Sequence, residues 1–140
     1  MRRRSGSPLT KNITLKSFGP AIACFCIVFI LIVMPDDKLP GKESWLSWLD
    51  VLYPDKWVHT IMFAAMTFLF LLPVAESGMF KKIKRHYFIR IAVAACLWGI
   101  TTEFIQKFYC PTRSFDLVDW AADSTGVLIA TIYCWKFHRR

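Results

Sequence analysis

A chain of 140 residues that is 55% hydrophobic, with a mean hydropathy of +0.38 and a net charge of +8, is too apolar for an ordinary water-soluble domain built around one core. The composition points to a small all-α, polytopic membrane protein. It also excludes a disulfide-stapled secreted scaffold, because Cys24, Cys26, Cys96 and Cys134 fall inside apolar stretches, where cysteine packs as a small apolar residue.

Residues 1–17 carry Arg2, Arg3, Arg4, Lys11 and Lys16, with no apolar periodicity, and read as a mobile basic tail. The apolar stretch that follows, residues 18–34, is longer than a usual signal-peptide core. It ends in Met34-Pro35-Asp36-Asp37 without a small-x-small cleavage site, so it reads as an uncleaved signal anchor. Three further stretches, residues 58–74, 87–103 and 117–135, are close to the roughly 17–25 residues a helix needs to cross hydrocarbon. The expectation is a bundle of four transmembrane helices over residues 18–135, with a short basic tail at 136–140.

Between the first two stretches, Trp45, Trp48, Leu49, Leu52 and Tyr53 recur at helical spacing, with Ser47 and Asp50 opposite and Ser44 at an N-cap position. This pattern predicts a short amphipathic helix lying in the membrane interface. A loop helix facing the core is the alternative. Pro54 would end it and start the second span.

The basic residues are distributed unevenly. Arg2, Arg3, Arg4, Lys11, Lys16, Lys81, Lys82, Lys84, Arg85, Arg90, Lys136, Arg139 and Arg140 share one side. Only Lys38, Lys42, Lys56, Lys107 and Arg113 fall on the other. By the positive-inside rule both termini and the loop at 76–86 are cytoplasmic, and the loops at 35–56 and 105–116 are outside. Attraction of the juxtamembrane 81–86 run to anionic lipid then accounts for the charge, and no nucleic-acid partner is required.

Two short blocks carry the chemistry. In Pro54-Asp55-Lys56-Trp57-Val58-His59, Asp55 and His59 share a helix face, so the carboxylate can orient the imidazole. Taken alone, the block also reads as a helix cap, a snorkelling lysine and an interfacial histidine. In the second block, Glu103 and Gln106 lie on one face at the outer end of the third span. Asp116, Asp119 and Asp123 form one stripe on the fourth, which Gly126 and Ala130 continue inward. Asp116 by itself suits a helix N-terminus through the helix dipole. Ionisable groups inside a membrane cost about 2.5–3.5 kcal/mol each on insertion scales, so the stripe must face the bundle interior. Cys110, beside Pro111 in an outer loop, is the one candidate for a reactive thiol. There is no glycine-rich phosphate loop, nucleophile elbow, internal repeat or paired metal-ligand motif.

Together the blocks resemble the VanZ-like family of bacterial membrane proteins, whose namesake is linked to teicoplanin resistance. The resemblance lies in Asp-Lys-x-x-His at the start of one span, then Glu-x-x-Gln, then Arg-x-x-Asp-x-x-Asp-x-x-x-(Asn or Asp)-x-x-Gly entering the last. These elements match Asp55, Lys56, His59, Glu103, Gln106, Arg113, Asp116, Asp119, Asp123 and Gly126. The similarity covers residues 20–135 in order and spacing. Asp123 departs from it, since the family more often has Asn there, and Ala130 stands where a second Gly is common. The resemblance implies a multi-pass protein of the bacterial cytoplasmic membrane acting at the outer face, with glycopeptide sensitivity as an expectation from the namesake.

Two functional classes are open. One is an enzyme acting on a cell-envelope or lipid head-group substrate. Its expected machinery is His59 as general acid or base, Asp55 orienting it, Glu103 and Asp119 in the catalytic cluster, and Lys56 and Arg113 binding an anion. Gln106, Asp116 and Asp123 would complete the ligand site, and carboxylates would bind a divalent cation or activate water. The other is a non-catalytic envelope factor that binds a lipid-linked precursor, an antibiotic or a partner protein. A proton or ion pathway is less well supplied, because the inner half of the bundle offers no relay. The metal, the cofactor and the oligomeric state are unspecified by these residues.

Overall fold

The computed structural model describes residues 13–33, 54–109 and 115–137, with the side chains of Pro54 and Asp55 left out. The expected interfacial helix at 44–53, Cys110, Arg113 and most of the two basic tails lie outside the described residues. Within them the protein is all-helical and contains no strand. A 3-10 turn at Leu15–Phe18 leads into α1 (Gly19–Val33), followed by α2 (Pro54–Glu76), α3 (Lys81–Tyr109) and α4 (Leu117–Phe137). At the chain's entry Ser17 N–H donates to Thr14 O at 2.9 Å, so the turn begins inside the segment expected to be a mobile tail.

The stretches 58–74, 87–103 and 117–135 lie within α2, α3 and α4, and residues 18–33 of the first stretch extend from the 3-10 turn through α1. Three runs, Leu15–Val33, Lys56–Glu76 and Lys81–Tyr109, are long and apolar enough to cross a membrane. At 1.5 Å per residue the 21 residues of α4 reach about 32 Å, enough to span hydrocarbon about 30 Å thick. Its apolarity is diluted by Asp119, Asp123, Ser124 and Thr125, two of which are carboxylates turned into the bundle. Helix α3 overruns the expected span at both ends. Lys, Arg, Glu and Gln form helix readily, so its basic start and polar end stay helical beyond the apolar run.

The distribution of polarity is that of a membrane protein. Ile27 and Ile30 on α1, Ile61 on α2, Val93 and Leu97 on α3, and Ile129 and Ile132 on α4 face outward. His59, Thr67, Thr102, Glu103, Gln106, Asp119 and Asp123 are buried. In water this arrangement would expose a wide apolar belt while hiding the charge. In lipid the belt is solvated and the polar groups find one another.

The helices alternate in direction, so the C-terminal ends of α1 and α3 meet the N-terminal ends of α2 and α4 at one end of the bundle. Helix α2 packs most extensively on α4, α3 flanks both, and α1 lies against α2 and α3. A core of Val28, Ile32, Phe63, Met66, Ala95 and Val127 takes residues from all four helices. A second core of Leu71, Val74, Ala75, Phe88 and Cys134 fills the opposite half. The α2–α4 contact is close because Gly126 has no side chain: a Cβ there would stand 2.2 Å from Thr60 O and 2.9 Å from Ala64 N. At the far end, Ser77 Oγ donates to Val74 O at 2.6 Å and Lys84 Nζ to Ala75 O at 2.7 Å. Val74 O also accepts the Ser77 N–H at 3.3 Å, so these bonds satisfy carbonyls at the end of α2.

Candidate functional site

The convergent helix ends gather the polar residues into two tiers. The outer tier begins with Asp116, the residue before α4, whose Oδ1 accepts the Val118 N–H at 2.8 Å as an N-cap. Its own N–H donates to Glu103 Oε2 at 3.0 Å, so a carboxylate from the end of α3 fastens the entry of α4. Lys56, in the first turn of α2, places its ammonium between Asp116 Oδ2, at 2.8 Å, and Asp119 Oδ1. The lysine beside it, with the Val118 N–H, holds the Asp116 carboxyl below the usual carboxylate range. This tier reaches the surface: the side chains of Lys56 and Asp116 are 25% and 38% exposed.

One helical turn deeper lies the second tier. His59 on α2 follows Lys56 by three positions and Asp123 on α4 follows Asp119 by four, so the same pairing of helices repeats inward. His59 Nδ1 stands 2.9 Å from Asp123 Oδ1. Glu103 closes the group from α3, and one ligating atom from each of His59, Glu103 and Asp123 lies within 4.8 Å of the others. His59 is 4% exposed, and Glu103 and Asp123 are fully buried. Gly99, one turn before Glu103, makes room for this tier, since a Cβ on it would meet Asp123 Oδ2 at 3.1 Å and Phe63 at 3.4 Å.

Peripheral polar groups lock the helix ends around the tiers. Gln106 Nε2 donates to Ile32 O at 3.2 Å, joining α3 to the end of α1. Thr60 Oγ1 lies 3.0 Å from Lys56 O and 3.1 Å from Ala122 O, bridging α2 and α4. Trp120 Nε1 donates to Cys96 O at 3.0 Å.

Of the residues singled out in the sequence, Lys56, His59, Glu103, Gln106, Asp116, Asp119 and Asp123 are thus brought to one end of the bundle. Arg113 and the side chain of Asp55 lie outside the described residues. A carboxylate from α4, Asp123, meets His59, and Lys56 is engaged by Asp116 and Asp119. Gly99, Thr60 and Trp120 were not anticipated. Gly99 had a signal, because residues 99, 103 and 106 form an i, i+4, i+7 stripe whose first member is the smallest residue. Thr60 and Trp120 bond to backbone carbonyls of neighbouring helices, and sequence spacing carries no sign of that.

Chemically the arrangement offers an imidazole held by one buried carboxylate and close to a second, below an ion cluster that opens at the bundle end. An imidazole so placed can move a proton or ligate a metal, and the carboxylates can take up a cation. Compared with known protein families, with curated proteins and with solved structures, the chain matches none.

Proposed function

We propose that the chain is a VanZ-like protein of the bacterial cytoplasmic membrane, with four spans, both termini cytoplasmic, and an outward-facing pocket for a cell-envelope or lipid head-group ligand. The observation that carries this reading is the burial of His59, Glu103 and Asp123 from three different helices under the Lys56–Asp116–Asp119 cluster. Carboxylates in a membrane bundle are costly unless function retains them, and a purely structural bundle would be served by apolar side chains. The charge asymmetry of the loops assigns the cluster to the outer face. Helix α4 counts as the fourth span because its carboxylates face protein, where they do not meet lipid.

Among the described residues the two tiers set four carboxylates against Lys56 and His59, a balance that suits a ligand bringing positive charge. An amine-bearing head group does so directly, and an anionic head group does so when carried on a divalent cation. Binding is the core of the reading. Proton transfer by His59 to a bound head group is the catalytic extension, favoured by the carboxylate on Nδ1.

The test is purification of the full chain in native nanodiscs followed by lipid mass spectrometry. One head-group class should be enriched over the bulk membrane, and Lys56→Met and Asp119→Asn should each abolish the enrichment. A lipid profile equal to the bulk membrane in the wild type and both variants would overturn the proposal.

A further inference from the structure

His59, Glu103 and Asp123 bring an imidazole and two carboxylates from three helices into one buried group. Lys56 lies a turn toward the surface and is engaged by Asp116 and Asp119. Glu103 uses Oε2 on the Asp116 N–H, but its Oε1 is buried with no hydrogen-bond partner. An unsatisfied oxygen on a fully buried carboxylate, in a side chain grouped with a histidine and a second carboxylate, is a ligand atom lacking its ligand.

We infer that His59, Glu103 and Asp123 form a binding site for a divalent metal ion, each residue supplying one ligand. The distances suit this. Two donors at about 2.1 Å from one ion and at right angles stand about 3.0 Å apart. His59 Nδ1 and Asp123 Oδ1, at 2.9 Å, already form such an edge, with the ion taking the place of the proton between them. No two donors of one ion can be farther apart than twice the bond length, about 4.4 Å for bonds of 2.2 Å. Donors within 4.8 Å of one another reach that limit by closing a few tenths of an ångström, and reach a tetrahedral edge of about 3.4 Å by closing at most about 1.4 Å. A +2 ion cancels the charge of the two carboxylates.

The donor set selects the ion. One nitrogen and two oxygens suit zinc, manganese or ferrous iron, whereas calcium takes six to eight oxygens and soft ions prefer sulfur. Three protein ligands leave a coordination position open toward the outer tier, where a water or a head-group oxygen would enter. The site is distinct from the outer tier in its ligands and goes beyond the head-group reading. It stands whether or not a lipid occupies the pocket.

The experiment uses the full chain in nanodiscs, stripped with chelator and dialysed against Zn2+ alone or Mn2+ alone, with bound metal measured by atomic emission. One ion per chain is expected, and Glu103→Gln, which keeps the shape but removes the charge, should weaken binding about tenfold or more. Folded wild type that retains under about a tenth of an equivalent, or Glu103→Gln that binds as tightly as wild type, would overturn the inference. Should Glu103→Gln fail to fold, X-ray absorption at the zinc edge of the loaded wild type decides. Imidazole scattering beyond a nitrogen and oxygen shell supports the site, and its absence refutes it. Lipid enrichment is read independently, so a pocket without metal and a metal without lipid are told apart.

Discussion

His59 Nδ1 and Asp123 Oδ1 meet at 2.9 Å although 64 positions separate the two residues in the chain. The contact exists because α2 and α4 run in the same direction with matched register, Lys56 against Asp119 and His59 against Asp123. Both partners are buried, so removing one strands the other's polarity in a dry site, whereas removing both strands less. His59→Leu and Asp123→Leu should each lower the thermal stability in detergent, and the double variant should lose less than the sum of the two. A coupling of about 0.5–3 kcal/mol is expected from a double-mutant cycle. Additive losses would mean that the pair does not interact. Asp123→Asn keeps an acceptor oxygen for the ring and should fold like the wild type.

The outer tier makes a second case. Lys56 separates Asp116 from Asp119, and without it the two carboxylates face each other at the mouth of the bundle. Lys56→Met keeps the apolar stem and deletes the ammonium, which should cost about 1.5–3 kcal/mol, the range for hydrogen bonds to charged groups. Adding Asp119→Asn to Lys56→Met should recover part of that loss. If the second substitution deepened the loss instead, the repulsion argument would fail.

Much of this was legible in the chain before any coordinates, and the reason differs by feature. Apolar runs near membrane-spanning length gave the helices away, and the 116, 119, 123 spacing placed three carboxylates on one face. The contact of His59 with Asp123 was not legible. Local spacing offers Asp55, one turn away on the same helix, and only the packing of α2 on α4 brings Asp123 to the ring. That packing depends on a backbone approach at Gly126, and a single glycine in an apolar helix announces closeness without saying to what. The extent of α3 was hidden for another reason. Hydropathy marks what lipid can cover, while the helix continues wherever its residues favour helical backbone.

The glycines of the interface should differ in their tolerance. At Gly126 a methyl group would run into backbone, Thr60 O at 2.2 Å and Ala64 N at 2.9 Å, so α2 and α4 must part. At Gly99 the nearest atoms are the Asp123 side chain at 3.1 Å and a Phe63 ring atom at 3.4 Å, which can shift by tenths. Gly126→Ala should therefore destabilise by about 1–3 kcal/mol, the usual range for overpacking, and Gly99→Ala by less. The ranking is read from unfolding midpoints of the two variants in the same detergent. The reverse order would mean that the α2–α4 approach is looser than the distances say.

Which way the bundle faces follows from charge, and exposed positions at its two ends can report it. Lys107, near the end of α3, lies on the side of the polar tiers, and Gly78, in the connection between α2 and α3, lies at the opposite end. Both are exposed, whereas Ser77 beside Gly78 is buried with its hydroxyl bonded to Val74 O and would be a poor probe. The start of α3, just after Gly78, carries Lys81, Lys82, Lys84 and Arg85, so the positive-inside rule puts Gly78 in the cytoplasm. In a cysteine-free background, Lys107→Cys should react with a membrane-impermeant thiol reagent in intact cells. Gly78→Cys should react only after the cells are permeabilised. Labelling of Gly78→Cys in intact cells with protection of Lys107→Cys would turn the bundle over, putting the His59–Glu103–Asp123 tier at the cytoplasmic face and removing envelope precursors from its reach.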